Sequence, residues 1–420
     1  MAGSGSLGRE IRRVFPVTVM LLANMAKTAI KGFRQPAMAG TNRRVIPSAI
    51  SSGGEFAHAQ PFVEIIENFP PGIQIISRRF FRLPVFVCYW RRKNEKIKTH
   101  FSRGRTMETM SLKKQAGISR LKLFLALSRT PHGVLDLAAP SLSALLWLGT
   151  FPPAPILSLG LLTAFSGYTA VYALNDVVDY RLDRGKMQGA GGPPSRGDLD
   201  SVFARHPLAQ GMLTYREGMF WALGWAALAV IGAYLLNPVC ALIFLLACFL
   251  EYSYCRLLKV TSLRGIISGL VKTSGPLAGV FAVDPNPAPG FLAVLFLWLF
   301  FWEIGGQNVP NDWGDLEEDR TLQAKTIPVR FGSGGALWVI LVSLGLSVAL
   351  SLLPFWVLPQ EVSPFYLVGA LMAGTYFLLI PGFNLYRAKS SPDAFALFNR
   401  ASYYPLAMLV VTVLGWYINL

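Results

Sequence analysis

Asn175-Asp176-Val177-Val178-Asp179-Tyr180-Arg181-Leu182-Asp183 and Asn311-Asp312-Trp313-Gly314-Asp315-Leu316-Glu317-Glu318-Asp319 carry one pattern, N-D-x-x-D-x-x-x-D, and each begins where a long apolar segment ends. On a helix the offsets i, i+3 and i+7 bring three carboxylates onto one face. Three stacked anions repel one another, so each cluster calls for a cation. Hard divalent metals prefer carboxylate oxygen, and Mg2+ is typically held by a few carboxylates together with the phosphates of a substrate. One such nonamer alone would read as a solvated helix face or a cap. Two with identical spacing, each after a hydrophobic span, read as paired cation sites at the mouth of a membrane helix bundle, suited to a diphosphate bridged by Mg2+.

Composition supports the membrane setting. Over 420 residues the chain is 53% hydrophobic and only 15% charged, less charge than a soluble domain of this size carries. The net charge of +16 does not imply a nucleic-acid partner, because the basic residues form no stripe with interleaved aromatics. They lie before the first span and in alternate loops. Cys88, Cys240, Cys248 and Cys255 show no metal-binding spacing and read as buried thiols without a disulfide framework.

Residues 1–115 are rich in Arg, Lys, Ser, Gly and Pro and hold only short apolar patches, so they read as a basic, poorly ordered extension without a motif. Arg12-Arg13 before Val14 to Ala26 resembles the basic and apolar parts of a signal peptide, but the run is short and broken by Pro16 and Asn24. Met107 or Met110 is the alternative start. Residues 116–420 form the second region, where long apolar runs recur. The expected spans lie near 133–150, 155–175, 217–236, 238–255, 264–283, 290–310, 335–353, 365–385 and 402–418. Most approach the roughly 20 residues that cross about 30 Å of hydrocarbon. The expected fold is therefore an all-α polytopic bundle of about nine transmembrane helices.

Loop charges orient it. Arg181, Arg184, Lys186, Arg196, Arg205 and Arg216 lie between spans two and three. Arg256 and Lys259 lie between four and five, with Arg264 at the next helix start. Arg320, Lys325 and Arg330 follow span six, and Arg387, Lys389 and Arg400 precede span nine. The intervening loops contain no Lys or Arg. The positive-inside rule then puts both Asp clusters on the cytoplasmic side.

Each cluster is followed by a second signal, Arg205-His206-Pro207-Leu208-Ala209-Gln210-Gly211 after the first and Lys325-Thr326-Ile327-Pro328-Val329-Arg330-Phe331-Gly332 after the second. In these paired motifs and their order, residues 120–420 resemble the UbiA-type intramembrane prenyltransferase superfamily. The resemblance implies a nine-helix bundle that holds Mg2+ against a polyprenyl diphosphate, with the prenyl tail in an apolar tunnel. It implies Asp176, Asp179 and Asp183 in one motif and Asp312, Asp315 and Asp319 in the other as metal-binding and catalytic residues. Asn175 would join the diphosphate shell, with Asn311 as its counterpart. Arg205, Arg256, Lys259 and Lys325 would supply basic contacts to the substrate. The chain departs from the family pattern in the long insertion Gly185 to Ala204, in His206 between Arg205 and Pro207, in Gln210, and in Tyr252, Tyr254, Arg256 and Lys259, which lack the common Y-x-x-x-K spacing.

The chemistry follows from elementary principles as well. Diphosphate leaves well only when its growing charge is neutralised, which Mg2+ and nearby Arg or Lys can do. An allylic cation left behind needs a dry, apolar pocket and an adjacent nucleophile. The resemblance makes an aromatic acceptor the leading expectation, as in quinone or related prenyl-lipid biosynthesis. A chlorin-type macrocycle and a glycerol-phosphate lipid are the alternatives, and a divalent-cation transporter is the reading from another class. A transport path would need polar residues through several spans, whereas the acidic residues crowd one face. Glu303 and Lys272, inside spans, read as functional or as a mutual pair. Asp136 beside Pro140 reads as a cap or kink, Arg129 as an interface anchor with a phosphate ligand as the alternative, and Phe296 to Trp302 as core or lipid-facing rings with a tunnel lining as the alternative.

Overall fold

The computed structural model describes residues 119–189 and 199–418. The expected extension 1–115 and Cys88 lie outside the described residues. Among the described residues every regular element is helical. The chain begins with α1 (Arg120–Leu127), α2 (Thr130–Asp136) and α3 (Ala138–Leu148), then the long α4 (Ala154–Gly189). There follow α5 (Tyr215–Leu236), α6 (Pro238–Arg256), α7 (Arg264–Phe281) and α8 (Pro289–Trp302). A π-helical segment, Glu303–Asn308, joins α8 to α9 (Val309–Gly314), and α10 (Leu316–Thr321) follows. The remainder is α11 (Ile327–Leu350), a short helical turn at Pro354–Val357, α12 (Pro364–Gly374), a second π-helical segment at Thr375–Leu379, α13 (Ile380–Ala388), α14 (Ser391–Ala401) and α15 (Tyr404–Ile418).

Local chemistry starts many of these helices where the apolar runs begin. Thr214 and Glu217 form a capping box on α5. Asn237 caps α6, Ser363 caps α12 and Ser390 caps α14, each followed by Pro in the first turn, where its missing N–H costs nothing.

Seven helical stretches among the described residues are long and apolar enough to cross a membrane. They are α4, α5, α6, α8 with α9, α11, α12 with α13, and α14 with α15. Two further expected spans are helical but fall short of that measure. The first is divided at Leu137 between α2 and α3, with Pro140 just beyond; the fifth, α7, is 18 residues long and carries both Lys272 and Pro276. Both shortfalls trace to polar and cyclic residues that the chain buries inside the bundle.

Outer faces of α5 and α6 expose Phe220, Tyr234, Leu242 and Phe249, as lipid-facing positions do. The densest core lies on the other side of the bundle, where Trp298, Trp302, Tyr366 and Tyr404 are almost fully buried among α8, α11, α12 and α15. The run Phe296 to Trp302 thus divides its rings by helical phase: Trp298 and Trp302 donate from Nε1 to Tyr404 Oη and the Ala401 carbonyl, at 3.1 and 2.9 Å. Gly279 lets α7 meet α3, since a Cβ there would stand 2.5 Å from the Pro140 carbonyl oxygen.

Candidate active site

Asp176, Asp179 and Asp183 ride on α4, which continues without a break to Gly189, so the first motif lies within a helix. Asp176 and Asp183 are buried. His206 lies against both, with Nδ1 3.3 Å from Asp176 Oδ1 and 3.1 Å from Asp183 Oδ2. One ligand atom from each of these three residues falls within 4.8 Å of the others, spacing that suits a divalent cation. Burial alone would lower the His206 pKa, but the Asp183 and Asp176 carboxylates outweigh it and raise the value to about 9.

The second motif differs from the helical face that its spacing suggests. The helix ends at Gly314, and Asp315 leaves helical geometry at φ −92° and ψ 10° before α10 begins. Gly314 is pressed by the Phe395 ring, and the chain turns there. Asp312 therefore sits on α9, Asp315 at the junction and Asp319 on α10, with Asp312 and Asp319 buried.

Arg205 joins the two halves. Its guanidinium forks onto Glu318, with Nη1 to Oε1 at 3.0 Å and Nη2 to Oε2 at 2.8 Å, and reaches Asp315 at 3.4 Å. The stretch that follows the first motif is thus bound to the second.

Other cations differ from the sequence expectation. Arg129, expected to anchor at the interface, turns inward from a left-handed backbone (φ 44°). It donates to Asn175 Oδ1 at 3.0 Å, Asp200 Oδ2 at 3.0 Å and Asp176 Oδ1 at 3.3 Å. Arg129 and His206 are two of the four described non-glycine residues with positive φ, and backbone strain of that kind collects at working sites. Arg256 and Lys259 are exposed beyond the cavity, and Lys325 is exposed with its backbone N–H bound to the Leu258 carbonyl. The buried cation of that region is Arg264, 2.6 Å from Asp312 and stacked over the Tyr254 ring at 4.5 Å.

Asp200, from the insertion after the first motif, had no sequence signal. It lies 2.6 Å from His132 Nδ1 as well as beside Arg129; burial favours its neutral form, yet Arg129 and His132 hold its carboxyl well below the usual range. Asn175 donates from Nδ2 to Glu251 at 2.6 Å, which fixes its amide between Glu251 and Arg129. Cys240, Cys248 and Cys255 are free thiols, and Cys255 lies 3.4 Å from the Asn175 amide.

Beneath this polar layer lies a cavity of about 260 Å³. Arg129, Asn175 and Asn311 line one part of it, and Ile156, Leu157 and Phe244 line another. Lys272 does not pair with Glu303: its ammonium takes Asp136 at 2.7 Å and Tyr172 Oη at 3.1 Å. Asp136 is thus buried as the partner of a cation and not as a helix cap.

A profile of the UbiA prenyltransferase family matches residues 137–403. Digeranylgeranylglyceryl phosphate synthase of Pyrococcus furiosus is 26% identical over 235 residues, 56% of this chain and 78% of the relative. The 4-hydroxybenzoate octaprenyltransferase of Aromatoleum aromaticum is 28% identical over 218 residues, 51% of this chain and 68% of the relative. The solved structure of a UbiA homolog from Archaeoglobus fulgidus bound to DMAPP and Mg2+ shares the fold, with a TM-score of 0.51 and 19% identity, covering 69% of this chain and 99% of that one. With a profile spanning well over half of its length and a matching helical architecture, the chain is a polytopic membrane protein that belongs to the UbiA prenyltransferase family.

Proposed function

We propose that this protein transfers a polyprenyl group from a polyprenyl diphosphate to the hydroxyl of a glycerol-phosphate ether lipid, with release of diphosphate. The observation that carries the reading is the pairing of two carboxylate motifs, linked through Arg205, at the polar side of an apolar cavity. The glycerol-phosphate acceptor, one of the sequence alternatives, has support from the named archaeal relative. An aromatic acceptor, the leading sequence expectation, is the second reading, favoured by the similarity to the 4-hydroxybenzoate enzyme. Membership of a prenyltransferase family leaves no ground for the transporter reading.

Asp176, Asp179 and Asp183 on one side and Asp312, Asp315 and Asp319 on the other are the proposed Mg2+ ligands, and the oxygen-rich donor set fits that ion. When bound, Mg2+ would neutralise charge on the departing diphosphate. Arg129 and Arg264, already held against Asp176 and Asp312, would turn part of their hydrogen-bonding capacity to phosphate oxygens. Asn175, pinned by Glu251 and Arg129, would orient the substrate's phosphate. Apolar walls on α4 and α6 would exclude water from the allylic carbon. The deciding experiment incubates membranes with labelled geranylgeranyl diphosphate, Mg2+ and either a glyceryl phosphate monoether or 4-hydroxybenzoate. Product from the first alone supports the main reading; product from the second alone selects the aromatic one; transfer to neither counts against both.

Both motifs are proposed to face the cytoplasm. In a background without native cysteines, Val202→Cys and Ser333→Cys are expected to resist an impermeant thiol reagent added to intact cells, while Asn286→Cys reacts. All three positions are exposed, so protection reports sidedness. Labelling of just one of the first two would separate the motifs, and labelling of both with Asn286→Cys protected would invert the orientation.

We also propose that residues 116–420 carry the whole transfer activity. Translation from Met107 is expected to leave the rate of transfer unchanged, measured per inserted protein. A truncate that inserts normally but loses transfer would assign the first 106 residues to the enzyme.

A further inference from the structure

A hydrocarbon tail offers no hydrogen bonds, yet the cavity wall carries polar atoms that have none. Tyr168 Oη, Glu303 Oε2 and Asn308 Oδ1 are buried, line the cavity and lack a hydrogen-bond partner. His132 Nε2 and Thr163 Oγ1 line the same cavity and also lack a partner. Buried polar groups are nearly always satisfied, so orphans around one cavity point to a polar ligand that completes some of them. Glu303 and Asn308 are each only 6% exposed.

The position is specific. Tyr168 precedes Asp176 by eight residues of α4, about 12 Å along the helix, and Glu303 precedes Asp312 by nine residues, six of them π-helical. Glu303 and Asn308 begin and end the π-helical segment, a widened turn of a kind concentrated at functional sites. Gly305 lets this turn lie against α11, since a Cβ there would meet the Ile340 carbonyl oxygen at 2.9 Å. Ser268 donates to Glu303 Oε1 at 2.6 Å and leaves Oε2 without a partner, while Lys272 is committed to Asp136 and Tyr172.

We infer that Glu303, Asn308 and Tyr168 form the acceptor subsite, that they take a substrate through a free hydroxyl, and that Glu303 accepts the proton of that hydroxyl during transfer. The inference rests on the prenyl-transfer reading. In the step, the bond between the allylic carbon and the diphosphate oxygen breaks, with its electron pair leaving on diphosphate. The acceptor oxygen forms the new carbon–oxygen bond with a lone pair. Its proton passes to Glu303 Oε2 and from there to water after product leaves. Asn308 and Tyr168 hold the acceptor oxygen and its neighbours in register.

The test uses the full chain in nanodiscs, with labelled geranylgeranyl diphosphate and Mg2+, and a glyceryl phosphate monoether or its O-methylated form as acceptor. Glu303→Gln is expected to lower kcat by about a hundredfold or more while donor affinity stays unchanged. Glu303→Asp should recover part of the rate, and Tyr168→Phe should raise the acceptor KM by about tenfold with little change in kcat. O-methylated acceptors should give no product. The inference is overturned if Glu303→Gln keeps the wild-type kcat, if it loses donor binding as well, or if O-methylated acceptors are prenylated normally. Wild-type protein that fails to bind the donor in Mg2+ would instead remove the prenyl-transfer reading beneath it.

Discussion

Asp176→Asn is expected to lower prenyl transfer by about a thousandfold or more, and Asp312→Asn to do the same, while both proteins remain in the membrane. Each change keeps the size of the side chain and removes one anionic oxygen from the proposed Mg2+ shell. Asp176→Asn is the cleaner of the two, because Arg129 retains Asn175 and Asp200 as partners. In Asp312→Asn the buried Arg264 loses its carboxylate at 2.6 Å, and a buried ion left without its partner destabilises a fold by about 3–5 kcal/mol. The double change Asp312→Asn with Arg264→Gln removes that penalty and should restore thermal stability without restoring transfer. Chelation by EDTA should mimic the single changes, and Mg2+ should reverse it. Full transfer in either Asn variant, or in chelator, would end the two-motif mechanism.

Mg2+ affinity is expected to rise by about tenfold per pH unit between roughly pH 7 and pH 9, then level off. The cause is His206, whose pKa is raised to about 9 by Asp183 and Asp176 against the opposing effect of burial. A cation entering between those carboxylates either takes the imidazole as a ligand or drives it into water, where its pKa returns to the ordinary 6.5; both routes release a proton in this window. Stability runs the other way when Mg2+ is withheld. A histidine whose folded pKa exceeds its unfolded value stabilises fully below about pH 6.5 and ceases to do so as pH rises through about 9. Tm in chelator should therefore fall across that range, and should do so less in His206→Asn. Mn2+ binding followed by electron paramagnetic resonance, in wild type and His206→Asn, measures the linkage directly. An equal slope in the two proteins would show that other groups release the proton.

The all-α membrane bundle and the two metal-type motifs were legible in the chain alone, for reasons of scale. A run of roughly 20 apolar residues has few stable settings besides a spanning helix, and carboxylates at i, i+3 and i+7 share a face of any regular helix that carries them. The first motif followed that rule along α4. The second did not, because Gly314 packs against Phe395, a contact from a helix some eighty residues away in the chain, and the turn at Asp315 redirects the carboxylates.

Which cations lie against the carboxylate motifs was a tertiary decision. Arg256, Lys259 and Arg264 look alike in a loop of basic residues, yet only Arg264 is buried, held by Asp312 and the Tyr254 ring. Arg129 likewise lies against the first motif, and not at the interface, only because Asn175, Asp176 and Asp200 converge on it from 46, 47 and 71 positions away. Sequence periodicity sets the direction of a side chain around its own helix axis. Whether that direction meets water, lipid or a carboxylate depends on which helices cross there, and a charge finds its buried partner only after those crossings exist.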